Sequence, residues 1–290
     1  MAGAPLTASV RGILCMVAGM ALLTLNNAFL KTLTGDYPSG QLIAYRAAFV
    51  FIPIALIAWR SGGLGSLRIN NYGGQSIRAG FLVVTQFLMV TSIALLPLAD
   101  VTALSFSGPL VITALAGPML GERVGWRRWS AVVVGFIGVL IMLRPDPAIF
   151  QMIAFIPLLA ACSGALRDLV TRRISTGESS IAILCFSTSA VLVAGLLSML
   201  YESAPLDVAD LPVLALAGCL QGAAHFILIE AFRHGEAAVI APFKYAALPC
   251  ATLYGYLLFG NVPDIWILAG AFPVICSGLY ILHRERLRRR

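Results

Sequence analysis

Long apolar runs follow one another along the chain, and short polar breaks separate them. The breaks contain charged residues, Gly/Pro clusters or short polar loops. Because a helix needs roughly 20 mostly apolar residues to cross the hydrocarbon core of a bilayer, each run is long enough for one crossing. The pattern predicts ten transmembrane helices, near residues 12–33, 39–59, 78–96, 99–120, 127–143, 150–172, 180–200, 211–232, 237–259 and 263–283.

The first apolar run and the longest break both bear on this interpretation. The run at 12–33 is too long for the core of a cleaved signal peptide and is expected to remain as a membrane helix. The break at 60–77 is rich in glycine and asparagine, which is typical of a solvated connector. The sequence therefore indicates an all-α membrane protein with short loops.

Composition agrees with a lipid environment. Hydrophobic residues make up 59% of the chain and charged residues only 11%, whereas soluble domains carry about 25% charged residues. The six cysteines all lie in apolar runs, without the close pairs of a metal site or a disulfide framework. We interpret them as small core residues and expect neither a metal nor a cofactor.

The positive charges are concentrated on one side of the predicted helices, and positively charged loops are retained in the cytoplasm. Only Lys31 and Arg144 fall on the opposite side, whereas Arg46, Arg167 and Lys244 lie within helices. Both termini are therefore expected in the cytoplasm of a bacterium, with the chain in the inner membrane and its basic tail against anionic lipids rather than nucleic acid. The side shared by the termini holds Arg11, Arg60, Arg68, Arg78, Arg123, Arg127, Arg128, Arg172, Arg173, Arg233, Arg284, Arg286, Arg288, Arg289 and Arg290.

An internal repeat relates the two halves of the chain. At an offset of 138 residues, identical residues coincide, and one added residue brings Gly121 onto Gly260. The repeat predicts two five-helix halves, residues 1–147 and 148–290, which cross the membrane in opposite senses because five is odd. Inverted repeats of this kind are typical of secondary transporters that bind substrate near the midplane, at the interface of the repeats. The matches include Gly80 with Gly218, Ala99 with Ala237, Leu110 with Leu248 and Gly117 with Gly255.

Several motifs in each half resemble the EamA domain of the drug/metabolite transporter superfamily. In the first half they lie at 94–104, 109–115, 121–124 and 135–141, and in the second at 237–245, 255–260 and 277–280. The second copy departs from the pattern at Asn261, where the first copy has Glu122. The resemblance implies ten helices, cytoplasmic termini and export of amino acids, metabolites or drugs, and it is closest to the YddG-type amino-acid exporters.

Polar residues at membrane depth are candidate substrate ligands, because they are costly there unless paired or wetted. Gln86 and His225 are expected to face a common cavity, the alternative being hydrogen bonds that hold the bundle together. Lys244 has three open roles, which are binding a substrate carboxylate, reaching toward the cytoplasmic face and pairing with Glu230. The candidate substrate-binding residues are Asn26, Tyr45, Gln86, Phe106, Gln221, His225, Lys244 and Tyr245.

Two acids, Glu230 and Asp168, lie well inside predicted helices, and we expect Asp168 to form a structural ion pair with the adjoining Arg167. These residues leave transport direction and proton coupling open. No nucleotide-binding or hydrolase motif is present, so we expect a non-enzyme. Together with the resemblance to EamA exporters, the sequence favours a monomeric exporter of neutral, including aromatic, amino acids and related small metabolites by alternating access. A drug, nucleotide-sugar or other metabolite carrier, an intramembrane enzyme and a channel are the alternatives.

Overall fold

In a computed structural model, residues 6–60, 63–121, 125–143, 148–234, 237–261 and 265–288 are described, and their regular elements are all helical. The first-half helices are α1 (Leu6–Lys31), α2 (Ser39–Arg60), α3 (Tyr72–Leu95), α4 (Leu98–Leu104), α5 (Ser107–Leu120) and α6 (Trp126–Leu143). The second-half helices are α7 (Ala148–Ile174), α8 (Ser180–Ser198), α9 (Leu211–His234), α10 (Ala237–Ile240), α11 (Ala247–Phe259) and α12 (Ile265–Arg288). Short 3₁₀ helices cover Gly63–Leu67, Val208–Asp210 and Ala241–Ala246.

Six helical spans in the described part of the chain are long and apolar enough to cross a membrane. They are Val10–Lys31, Ser39–Arg60, Tyr72–Leu95, Met152–Ile174, Ser180–Ser198 and Val208–His234, and shorter apolar helices cover Leu110–Leu120, Ala247–Phe259 and Leu268–Ser277. The chain is therefore a multi-pass membrane protein, while the count of ten crossings stays a prediction.

Two of the predicted membrane helices are interrupted. The segment predicted at 99–120 divides into α4 and α5 at Ser105 and Phe106. The segment predicted at 237–259 divides into α10, the 3₁₀ helix Ala241–Ala246 and α11. The two interruptions fall at equivalent places in the repeat, since an offset of 138 carries Phe106 onto Lys244.

Large apolar side chains cover the outside of the bundle. Leu14, Ile52, Phe155 and Leu257 are all more than half exposed, and they belong to four different helices. A soluble protein rarely exposes apolar surface on this scale. These side chains are placed to meet lipid, so the polar residues discussed below lie inside the bundle.

Packing between the halves follows the repeat. Helix α1 packs on α9, and the equivalent pair in the repeat is α7 on α3. Helix α5 packs on α7, and the equivalent pair is α11 on α1. Helix α2 contacts α9 as α8 contacts α3, and the self-related pairs α2·α8 and α6·α12 also pack together. This reciprocal pattern is what a two-fold relation between two halves requires, while the division near residue 147 stays a prediction.

Glycines end two equivalent helices and allow one close crossing. Gly121 after α5 has φ 70° and Gly260 after α11 has φ 66°, the left-handed conformation that glycine adopts without a Cβ clash. At Gly218 on α9, a Cβ atom would lie 2.5 Å from the Phe49 Cβ and 2.6 Å from the Arg46 carbonyl oxygen. The α2–α9 contact therefore depends on the missing side chain, as in other membrane helix pairs.

Hydrogen bonds join the loops of the two halves at both ends of the bundle. Before α2, the Tyr37 hydroxyl donates to Asp210 Oδ2 at 2.6 Å and accepts from the Asp207 N–H at 3.0 Å. The hydrogen bond to the Asp210 carboxylate raises the pKa of Tyr37. Before the equivalent α8, Glu178 Oε1 accepts from the N–H groups of Asn70 and Asn71, at 2.7 and 2.5 Å.

Candidate functional site

A cavity of about 120 Å³ lies inside the bundle, between helices of both halves. Residues of α1, α3, α4 and α5 line it from the first half, and residues of α7, α9, α11 and the 3₁₀ helix Ala241–Ala246 line it from the second. Most of the wall is apolar, with a small number of polar groups, which is the usual character of a small-molecule site. Its position between the two predicted halves is the one expected of a transporter.

Both interrupted helices break at the cavity wall. Ser105, Phe106 and Gly108 line it at the start of α5, while Lys244 and Ala247 line it at the start of α11. Each helix of this length carries a partial positive charge at its N-terminus. The equivalent positions Phe106 and Lys244 thus give the cavity an aromatic ring from one half and an ammonium group from the other.

A cluster of three charged side chains, Arg167, Asp168 and Lys244, lines one part of the cavity. Arg167 Nη2 and Nε donate to Asp168 Oδ1 at 2.7 and 2.9 Å, and Lys244 Nζ forms an ion pair with Asp168 Oδ2. All three side chains are largely buried, with exposed fractions of 11%, 5% and 14% respectively. Each carboxylate oxygen therefore serves a different cation, and the cluster carries one net positive charge.

Gln86 on α3 lines the cavity, and its amide oxygen accepts a hydrogen bond from an arginine of α2. Arg46 Nη2 donates to Gln86 Oε1 at 2.8 Å, and Arg46 is 1% exposed. Because the amide oxygen is engaged by Arg46, the NH₂ group is the end of Gln86 left to donate into the cavity. His225 on α9 adds an imidazole to the polar lining.

The structure brings four of the predicted site residues together, namely Gln86, Phe106, His225 and Lys244. Three others lie away from the cavity wall. Asn26 is fully buried and, in its favoured amide orientation, donates to the Ala217 carbonyl at 2.9 Å. Tyr45 packs against an apolar cluster, and Gln221 is buried with its Oε1 unpaired among the described residues. The side chain of Tyr245 lies outside the part of the chain that the structure describes.

Some cavity residues were not predicted from the sequence. Asn27 lines the cavity where Asn26 was expected, and Thr24 and Thr85 add hydroxyl groups. Adjacent residues of a helix point about 100° apart, so the Asn26–Asn27 pair indicated a polar position without fixing which of the two faced inward. Thr85 directly precedes Gln86, but its hydroxyl bonds to the Phe81 carbonyl of its own helix at 2.7 Å.

Lys244 does not pair with Glu230, its expected alternative partner. Glu230 instead accepts a hydrogen bond from Ser180 and lies 3.7 Å from both Arg233 and His234. The ion pair between Lys244 and Asp168 joins residues that are 76 positions apart. Asp168 does pair with Arg167 as expected, but it lines the cavity as well.

The chain is similar to several known proteins. Residues 10–144 match the family model described as the EamA-like transporter family. The match covers the first half of the chain, and the relatives below are named as transporters or exporters. A solved crystal structure shares the fold, with a TM-score of 0.75 over 97% of this chain and 99% of the other at 17% identity.

The particular relatives are named for several small molecules. An S-adenosylmethionine uptake transporter of Rickettsia bellii is 27% identical, covering 92% of this chain and 94% of its own. A riboflavin transporter of Rhizobium johnstonii is 28% identical, covering 97% and 94%. A pseudopaline exporter of Pseudomonas aeruginosa is 23% identical, covering 92% and 94%. These names support a transporter. None of these three relatives is named as an amino-acid exporter of the YddG type, which the sequence had led us to expect.

Proposed function

We propose that this protein is an alternating-access secondary transporter for small metabolites that carry a carboxylate, with amino acids and amino-acid derivatives as the first candidates. The observation that carries the proposal is the cavity at the junction of the repeats, walled by two interrupted helices and lined by donors from both halves. Rocking of one half against the other opens such a site to each side in turn.

The polar groups of the cavity suit a carboxylate. Lys244 and Arg167 are cationic, and Gln86 presents its NH₂ group because Arg46 holds its oxygen. Donors of this kind bind carboxylate oxygens, and charge assistance makes the hydrogen bonds stronger. Phe106 and the methionines Met20 and Met89 supply an apolar surface for the rest of the substrate.

The relatives favour S-adenosylmethionine as a second candidate. This compound carries an amino-acid group on a larger scaffold, so it presents the same carboxylate and ammonium to a site. One relative is named for uptake and another for export, and the resemblance to EamA exporters implies export from the cytoplasm. The direction is therefore part of the test.

The test uses purified protein in proteoliposomes. Radiolabelled tryptophan, other neutral amino acids, S-adenosylmethionine and riboflavin are supplied on one side, with and without a pH gradient. We expect saturable transport of at least one carboxylate-bearing compound and a strong loss in Lys244→Ala. Lys31→Ala is the matched control, since Lys31 lies outside the cavity and bonds to the carbonyls of Ile93 and Leu96 at 2.6 and 2.7 Å. Equal transport by Lys244→Ala and wild type would contradict the site.

A further inference from the structure

Asp168 is held by two cations, and each binds a different oxygen. Arg167 donates to Oδ1 from both Nε and Nη2, whereas Lys244 alone is paired with Oδ2. If Lys244 turned away, Asp168 would keep its two hydrogen bonds to Arg167 and would not become an unpaired buried charge. The geometry thus allows Lys244 to change partners while Asp168 stays neutralised.

One further anion would balance the charge of the cluster formed by Arg167, Asp168 and Lys244. Arg167 and Asp168 neutralise each other, so the ammonium of Lys244 is the excess charge of the cluster. A charged side chain at membrane depth is costly unless it is paired. Lys244 therefore needs an anionic partner at every stage of a transport cycle, whether the cavity is loaded or empty.

Lys244 lies on a segment of irregular helix, unlike Arg167 and Asp168. Arg167 and Asp168 belong to the continuous helix α7, but Lys244 lies in the 3₁₀ helix Ala241–Ala246 between α10 and α11. A 3₁₀ stretch inside a helix often marks a hinge. The Lys244 Nζ lies 5.8 Å from the centre of the Phe232 ring, which favours a cation nearby through its π face.

We propose that Asp168 is a resident counter-ion that pairs with Lys244 while the cavity is empty, and that the substrate carboxylate takes its place. This inference rests on the proposed function and adds the event by which substrate is recognised. A substrate that also carries an ammonium group places it on the Asp168 oxygen that Lys244 has left. Both charges of an amino-acid head group are then paired.

The exchange of partners has a consequence for the transport cycle. The empty carrier must reorient its cavity from one side of the membrane to the other while Lys244 stays neutralised. In the described cavity wall, only Asp168 is placed to neutralise Lys244. In the loaded carrier, the substrate supplies the carboxylate that pairs with Lys244. Loss of Asp168 should therefore slow the return of the empty carrier and leave the movement of the loaded carrier less affected.

A first experiment needs no knowledge of the substrate, because acetate stands in for its carboxylate. Thermal unfolding of detergent-purified wild type, Asp168→Asn and Asp168→Asn/Lys244→Met is followed as sodium acetate replaces sodium gluconate at constant ionic strength. We expect acetate to raise the melting temperature of Asp168→Asn by about 2–4 °C, because Lys244 then lacks its resident partner. Wild type and the double variant should respond much less. Equal responses in all three proteins would overturn the proposal.

A second experiment separates the two halves of the cycle in proteoliposomes. Net efflux into substrate-free buffer requires the empty carrier to return, whereas exchange of labelled for unlabelled substrate does not. The probe is tryptophan or S-adenosylmethionine, whichever the wild type carries. In Asp168→Asn, we expect net efflux to fall at least tenfold and exchange to fall less than threefold. An equal fall in both rates, or in neither, would overturn the role of Asp168.

Glu230→Gln is the matched control, because it also replaces an intramembrane carboxylate by an amide but lies outside the cavity wall. It should leave the ratio of exchange to net efflux unchanged, whatever its effect on protein yield. If no compound is transported, the proposed function fails. The acetate titration still decides whether Asp168 is the resident ion-pair partner of Lys244. The two proposals can therefore fail separately.

Discussion

Gln86 offers a sharp test of the cavity, because its two amide atoms have different tasks. Its oxygen accepts from Arg46 at 2.8 Å inside the bundle, and its NH₂ group is left to the cavity. Replacing Gln86 by alanine removes both contacts at once. A glutamate at the same position keeps an oxygen for Arg46 but presents a second oxygen to the cavity in place of a donor.

The magnitudes follow from these contacts. A hydrogen bond to a charged group contributes about 1.5–3 kcal/mol, so Gln86→Ala should lower the free energy of unfolding by about that amount. Gln86→Glu should retain it, because Arg46 then faces a carboxylate. Loss of a donor to a bound carboxylate costs about 1–3 kcal/mol, which is about 5- to 150-fold in the dissociation constant. Both variants should therefore bind substrate weakly, although only the alanine variant is less stable.

The assay combines thermal unfolding in detergent with substrate binding by isothermal titration calorimetry. Gln75→Ala is the control, since Gln75 is a fully buried glutamine of the same helix whose amide atoms have no partner in the described part of the chain. It should change neither property by much. Wild-type affinity in Gln86→Glu would refute the assigned orientation of the Gln86 amide.

Three further predictions concern the repeat and the topology. His225→Ala should weaken binding, and its effect should be non-additive with that of Gln86→Ala by about 0.5–3 kcal/mol in a double-mutant cycle, since both face one ligand. Gly218→Ala should destabilise the protein by about 1–3 kcal/mol in thermal unfolding. The repeat-equivalent Gly80→Ala should not, because a Cβ there meets nothing within 4 Å. A reporter that is active only outside the inner membrane should stay silent when it is fused after Arg290, and activity would reverse the assigned topology.

The sequence predicts the positions of the helices well because lipid imposes a simple requirement on each of them. Every apolar run had to be helical at membrane depth, so the predicted segments agree with the described helices to within a few residues at most ends. The interruptions at Phe106 and Lys244 were not predicted. An interruption inside the bundle leaves the apolar pattern unchanged, since residues on both sides of it remain buried.

The site was only partly predictable, because its contacts join distant parts of the chain. The polar character of Gln86, His225 and Lys244 was visible in sequence, and the repeat indicated a shared face. The partner of Lys244 was not, since Asp168 lies on a different helix and had an adjoining arginine to explain it. The hydrogen bond from Arg46 to Gln86 likewise depends on how α2 and α3 pack.

The equivalence of Phe106 and Lys244 has a stereochemical consequence. The chain is interrupted at two equivalent places, but Phe106 presents an aromatic ring at one and Lys244 a positive charge at the other. The donors of Gln86 and His225 lie on further helices, so the contacts of the wall are not related to one another by the two-fold axis of the backbone. A chiral molecule held at its head group, its side chain and one amide contact should fit in a single pose. We therefore expect the carrier to distinguish enantiomers, with the D form of an amino acid competing poorly against the L form, although the backbone that holds the site is nearly symmetric.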